Sequence, residues 1–226
     1  MYNCYISQLY KTTDNMNMKL FNELSKFILH TSSKFKIDDS HNIMHSMNVL
    51  HFAHNIYEHE LPIHPGLKDH KNIIYLSATL HDMCDNKYMD EEEGLARISD
   101  FLDTQIPERD TEAITSIINT MSYSKVKSKG FPDLGIYQKA YHVVREADLL
   151  SAYDFDRCII YDMKVNNKPF DESFYRADEL FQNRVFKHTE DGLFTTEYAK
   201  MYHPVLHSQA INRINTWKNI IKPLKI

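Results

Sequence analysis

The chain has 226 residues, enough for a substantial core in one large domain or two small ones. Its formal net charge of -5, with 42% hydrophobic and 25% charged residues, is ordinary for a globular protein and excludes the basic footprint of a duplex nucleic-acid binder. Any anionic ligand would need a locally basic pocket.

Cys4, Cys84 and Cys158 are odd in number and lack CxxC spacing, which argues against a disulfide framework and for a reducing compartment. The opening stretch "MYNCYISQLYKTTDNMNMKL" has neither the basic start nor the apolar run of a signal peptide. No apolar segment approaches the roughly 20 residues of a membrane span. The expectation is a cytoplasmic protein with no membrane partner.

Five glycines and seven prolines leave few breaks, which favours long helices. In chain order, Leu20, Phe21, Leu24, Phe27 and Ile28 form the first helical stripe. His45, Val49, Phe52, Ala53 and Ile56 form the second, with Asp39 or Ser40 as the expected cap of its start. "LPIHPGLKDH" is expected to be a loop, after which Ile74, Ser77, Ala78 and His81 share a helix face. Helices are expected near Glu91–Leu102 and Thr111–Met121, followed by a polar, lysine-bearing loop, "SYSKVKSKGFPDLG". "IYQKAYHVVREADLLSAYDFDRCIIYDM" reads as one long helix or two consecutive ones. After the break at "KVNNKPFDES", helices near Phe174–Lys187 and Glu197–Ile220 finish the chain. With no repeat and no dividing linker, the expected architecture is one all-α domain, a helical bundle over residues 1–226.

The polar residues on these faces carry the chemistry. His45, His81 and Asp148 lie on three separate helices, each on the side of the apolar stripe, and Asp82 adjoins His81 at a helix end. A lone buried carboxylate is costly and finds a partner or neutralises. One divalent cation held by two imidazoles and two carboxylates removes that cost. Mixed nitrogen and oxygen ligands suit Mn, Fe, Co, Ni, Zn or Mg without choosing among them. Against this stands the plainer reading: with 13 histidines in the chain, a core-facing His is commonly just a hydrogen-bonded core residue.

"HNIMHSMNVL", "LSATLHDMCDNKYMDEEEGL", "INTMSYSK" and "VVREADLLSAYDFDR" resemble the successive motifs of HD-domain metal-dependent phosphohydrolases, and the likeness runs over roughly residues 20–220. The resemblance is to a small single-domain branch in which the His-Asp pair is followed by a further Asp and a Lys. It implies a helical fold and one metal bound by His45, His81, Asp82 and Asp148. It also implies hydrolysis of phosphate or pyrophosphate linkages in a small phosphorylated substrate, a nucleotide being the expected one. Asp85 matches the further Asp and could position or deprotonate water. Lys87 matches the Lys and could hold a phosphate as a point charge. His41, one turn before His45, could line the same pocket, and Lys125, Lys127 and Lys129 could supply basic charge at its rim. Each of these has a bland counterpart: a cap for Asp85, solvated positions for His41 and the lysines. Cys84 is expected to pack. Leu149 and Ser151 depart from the basic and acidic residues common at those positions, which bears on substrate contacts and not on the ligands. Two alternatives remain: a non-catalytic ligand-binding module of the same fold, and an iron-dependent oxygenase, which would need a second metal whose histidines the chain does not display.

Overall fold

The computed structural model describes residues 18–221, whose regular structure is all helical, with no strand among them. Cys4 and the opening stretch lie outside the described residues. Ten α-helices follow one another: α1 Met18–Phe35, α2 Ile43–Glu60, α3 Lys71–Leu80, α4 Glu91–Asp103, α5 Glu108–Thr120, α6 Tyr123–Lys129, α7 Gln138–Ser151, α8 Phe155–Val165, α9 Phe170–Asn183 and α10 Glu197–Ile220. No helix is long and apolar enough to cross a membrane.

Short polar side chains set the helix starts. Asn42 caps α2, its side chain accepting from Met44 N. The expected cap at Asp39 or Ser40 is therefore corrected to a residue further on: Asp39 instead bonds the Asn42 amide, and Ser40 N is bonded by Asp38 Oδ1. Asp90, Ser122, Asp154 and Thr196 cap α4, α6, α8 and α10. Three acidic residues, Glu91 to Glu93, complement the N-terminal dipole of α4.

Two segments expected to be loops contain helix. "LPIHPGLKDH" includes a 3-10 turn at Pro65–His70, with proline tolerated in its opening turn. "SYSKVKSKG" forms α6, because Ser122 supplies a cap, Val126 an apolar anchor and Gly130, at φ 77°, the stop. The region beyond it resolves the ambiguity over residues 136–163: α7 and α8 are separate helices with a break at Ala152–Asp154. α9 starts at Phe170 after Pro169, earlier than the apolar stripe alone suggested.

α2, α3 and α7 pack on one another at the centre; α5 covers α3, and α10 crosses α2 and α7. Val49, Ile56, Ile74, Leu76, Leu80, Val144 and Ala147 from the central helices, and Leu24 from α1, are fully enclosed. Burying each such Leu, Ile or Val is worth about 1.5–3 kcal/mol. Two buried carboxylates fix the start of α10. Glu146 accepts from the backbone and hydroxyl of both Thr195 and Thr196, at 2.6–3.0 Å, and Glu60 accepts from Glu197 N and Tyr198 N. On the flank, α8 and α9 are joined by edge-to-face contacts of Phe155 with Phe174 and Phe181, ring centres 5.6 and 5.1 Å apart.

Candidate metal centre and adjoining cleft

The central trio of helices explains why distant residues meet. His45 is in the first turn of α2, His81 ends α3, and Asp148 is in the last turn of α7. The ligand atoms of His45, His81 and Asp148 lie within 4.8 Å of one another, a group able to hold a metal ion. His45 Nε2 is 3.2 Å from His81 Nε2, and Asp148 Oδ1 is 3.5 and 3.6 Å from the two. Asp82 straddles the pair: Oδ1 is 3.3 Å from His81 Nε2, and Oδ2 is 3.3 Å from His45 Nε2. Ligands about 2.1 Å from one ion stand roughly 3.0–3.4 Å from each other in octahedral or tetrahedral arrangement, so these spacings match the edges of a coordination shell.

The electrostatics fit a cation as well. Asp82 Oδ2 is buried and accepts no hydrogen bond, a costly state that an ion would relieve. Burial works against the charged form of His81, but Asp82 and Asp148 outweigh it and push that imidazole up to about 9. Burial also opposes ionisation of the two carboxylates, yet the histidines hold both below the usual carboxylate range. Two ionised carboxylates, Asp82 largely enclosed and Asp148 at the open side, attract whichever positive species is there. His81 Nδ1 donates to Ala78 O at 2.9 Å, which turns Nε2 toward the site, where an ion would take the place of the proton that Asp82 and Asp148 favour. His45 differs: Arg157 donates to its Nδ1 and to Ser40 O. Arginine offers no acceptor, so the His45 ring proton sits on Nε2, and ligation through that atom requires Arg157 to withdraw. Burial, with Arg157 adding to it, lowers the His45 pKa.

His41 sits beside this cluster, its ring centre 6.0 Å from that of His45. Its Nε2 meets Lys87 Nζ at 3.2 Å, and its Nδ1 meets Ser40 Oγ at 2.6 Å and Tyr88 OH at 3.0 Å. Tyr88 in turn donates a short bond to Asp38. Because the ammonium only donates, Nε2 is the acceptor and Nδ1 carries the ring proton. Asp85 accepts from Lys87 N at 2.9 Å and stands 3.2 Å from Lys87 Nζ, so it shapes the turn that aims the lysine.

A cleft of about 560 Å³ opens from this edge along α8 and α9, lined among others by His41, Lys87, Arg157, Arg176 and Arg184. Lys125 is not part of it. Its ammonium is bonded by Glu91 and by Asn119 O and Oδ1, a tie between α4, α5 and α6 rather than the rim position the sequence suggested. Lys127 pairs with Asp191 instead. Leu149 and Ser151, the two departures, are buried, Ser151 bonding Asp148 O. Cys84 is buried against Gly94, in keeping with packing.

Sequence reasoning missed Asp38, Tyr88, Arg157, Arg176 and Arg184. The spacing of Asp38 three residues before His41 was the one available signal; the arginines lie far along the chain from the motifs.

No protein-family model matches the chain, nor does any curated protein. Among solved structures, the crystal structure of a structural-genomics target from Lactobacillus plantarum is similar, with a TM-score of 0.62 at 21% identity, covering 91% of this chain and 100% of that one. At that identity the likeness shows the fold alone.

Proposed function

We propose that this chain is a metal-dependent phosphohydrolase of the HD-domain type, acting on a small phosphorylated molecule with a nucleotide as the favoured substrate. The observation that carries the reading is the convergence of two imidazoles and two carboxylates at 3.2–3.6 Å beside a cationic cleft. His45, His81, Asp82 and Asp148 would hold one divalent ion. When bound, such an ion supplies Lewis acidity toward a phosphoryl oxygen and acidifies water.

The chain's own residues do the rest. Asp148 is 31% exposed at its side chain, against 3% and 4% for the two histidines, so the site opens on the Asp148 side and is closed behind the imidazoles. Lys87, steered by Asp85, places its charge at the cleft edge where a phosphate would be drawn in. His41, with its proton fixed on Nδ1, presents Nε2 toward the same edge as a proton acceptor once Lys87 turns to the substrate.

The test is phosphate release from a panel of nucleotides with Mn, Mg, Co, Ni or Zn added singly to the purified chain. The wild type should release phosphate or pyrophosphate. Asp82→Ala should lose at least about a hundredfold in kcat/KM, some 2.7 kcal/mol, with unchanged helical circular dichroism. A metal-loaded wild type that turns over no phosphate ester would overturn the reading and leave the ligand-binding alternative.

A further inference from the structure

We propose that Arg157 is a latch on the metal centre: its bond to His45 blocks ligation, and a cation takes that imidazole only by driving the guanidinium off into the adjoining cleft. This rests on the cation site of the proposed function, whatever that site acts on.

The two imidazoles of the cluster are prepared differently. His81 gives its Nδ1 proton to Ala78 O at 2.9 Å and aims Nε2 at the site, the arrangement in which an imidazole ligates. His45 aims the same atom inward, with Nε2 3.2 Å from His81 Nε2 and 3.3 and 3.5 Å from Asp82 and Asp148. Its far nitrogen, however, meets Arg157, which only donates. Nδ1 therefore offers its lone pair, and the single proton of the neutral ring is on Nε2, where the ion would be. With Arg157 in place, that proton has nowhere else on the ring to go. The bond is charge-assisted and shielded, since His45 and Ser40 are both buried and Ser40 O accepts from the same Arg157 nitrogen at 3.0 Å. Water competes poorly for a bond of this kind.

The latch has room to open. Asp154 caps α8 and accepts from Arg157 N at 3.2 Å, so the backbone is pinned and the side chain alone has to turn. Arg157 also lines the cleft of about 560 Å³, whose walls include the carboxylates of Asp162 and Glu179. A displaced guanidinium thus stays in an open space that holds acceptors. Once it has left, Nε2 releases its proton to solvent and Nδ1 takes one up. The ring remains neutral, and Nε2 turns a lone pair to the ion. Cation binding and Arg157 release are one event, so the hold of Arg157 on His45 is subtracted from the affinity for the cation.

Two measurements test the latch, and neither needs turnover. The first is NMR of the arginine Nη groups at low temperature, with Arg157 identified by the signals missing from Arg157→Met. In the metal-free wild type Arg157 should show the slow Cζ–Nη rotation of a bonded guanidinium. Saturating Zn²⁺ should release it, while Arg145, buried and bonded to Leu193 O and Glu146, serves as the unmoved reference. The second is calorimetric titration of the metal-free proteins with Co²⁺. Arg157→Met, folded by circular dichroism, should bind at least about tenfold more tightly than the wild type, the worth of a hydrogen bond from a charged donor. Lys87→Met removes a charge from the same edge but meets His41 and not His45, and it should gain markedly less. Arg157 signals unmoved by saturating Zn²⁺, or no greater gain in Arg157→Met than in Lys87→Met, would overturn the latch and leave the cation site standing. If neither the wild type nor Arg157→Met binds Zn²⁺ or Co²⁺, latch and cation site fall together.

Discussion

His188 shows how a single buried ring can be read through its titration. It is 1% exposed, and neither ring nitrogen has a hydrogen-bond partner among the described residues. Burial, assisted by Arg184 and opposed by Asp148 and Asp191, pushes it down to about 4. A base with a depressed pKa binds fewer protons folded than unfolded, so its stabilisation is complete above about 6.5 and is lost as pH falls toward 4. The loss amounts to roughly 3 kcal/mol. His188→Leu should be as stable as the wild type or more so at pH 7, having shed two unsatisfied nitrogens. It should also lose less stability between pH 6.5 and 4; a remaining slope is expected from His142, likewise pushed to about 4 by burial. Urea denaturation at pH 7, 5.5 and 4 checks this, and an unchanged pH slope would refute it. At this scale, His45, His81 and Asp148 stood out because each lies on an apolar helical stripe with no packing reason to be polar, and Asp82 because it adjoins His81 at the helix end. Arg157, Arg176 and Arg184 were not, since a guanidinium on a polar helix face looks the same in sequence whether it meets solvent or a cleft.

At the scale of elements, the turn after α3 is the piece on which the site depends. It carries Asp82 and Lys87 and is pressed from outside by α4, where a Cβ at Gly94 would fall 2.5 Å from Cys84 Cβ and 2.6 Å from Cys84 Cα. Backbone cannot yield as a flexible side-chain tip can, so the turn or α4 must move. Gly94→Ala should destabilise by about 2 kcal/mol, overpacking outweighing the better helix propensity of alanine. Because Cys84 is two residues from Asp82, metal affinity should fall with it. A melting temperature and metal affinity equal to the wild type would mean that this contact is slack. The need for glycine here was invisible in the sequence, as it arises from two elements meeting. α6 was misread for a related reason: seven residues are too few for periodicity to register, and only the Ser122 cap and the Gly130 stop mark it.

For the whole molecule, the central packing of α2, α3 and α7 brings His45, His81 and Asp148 together, with Asp82 3.3 Å from both imidazoles and the cationic cleft at the edge. The all-α character followed from sparse glycine and proline and from repeated apolar stripes. Which helices would be neighbours did not, since stripes state which face is buried and not against what. His45, His81, Asp82 and Asp148 are proposed to form one cation site. Titrating the EDTA-treated chain with Co²⁺, followed by its visible absorption and by calorimetry, tests it most directly. Saturation is expected at one equivalent per chain, with a stability gain of about 2.7 kcal/mol at a hundred times Kd. Asp148→Ala and His81→Ala should each weaken binding at least about tenfold. Failure to bind, or binding that survives both substitutions unchanged, would contradict it.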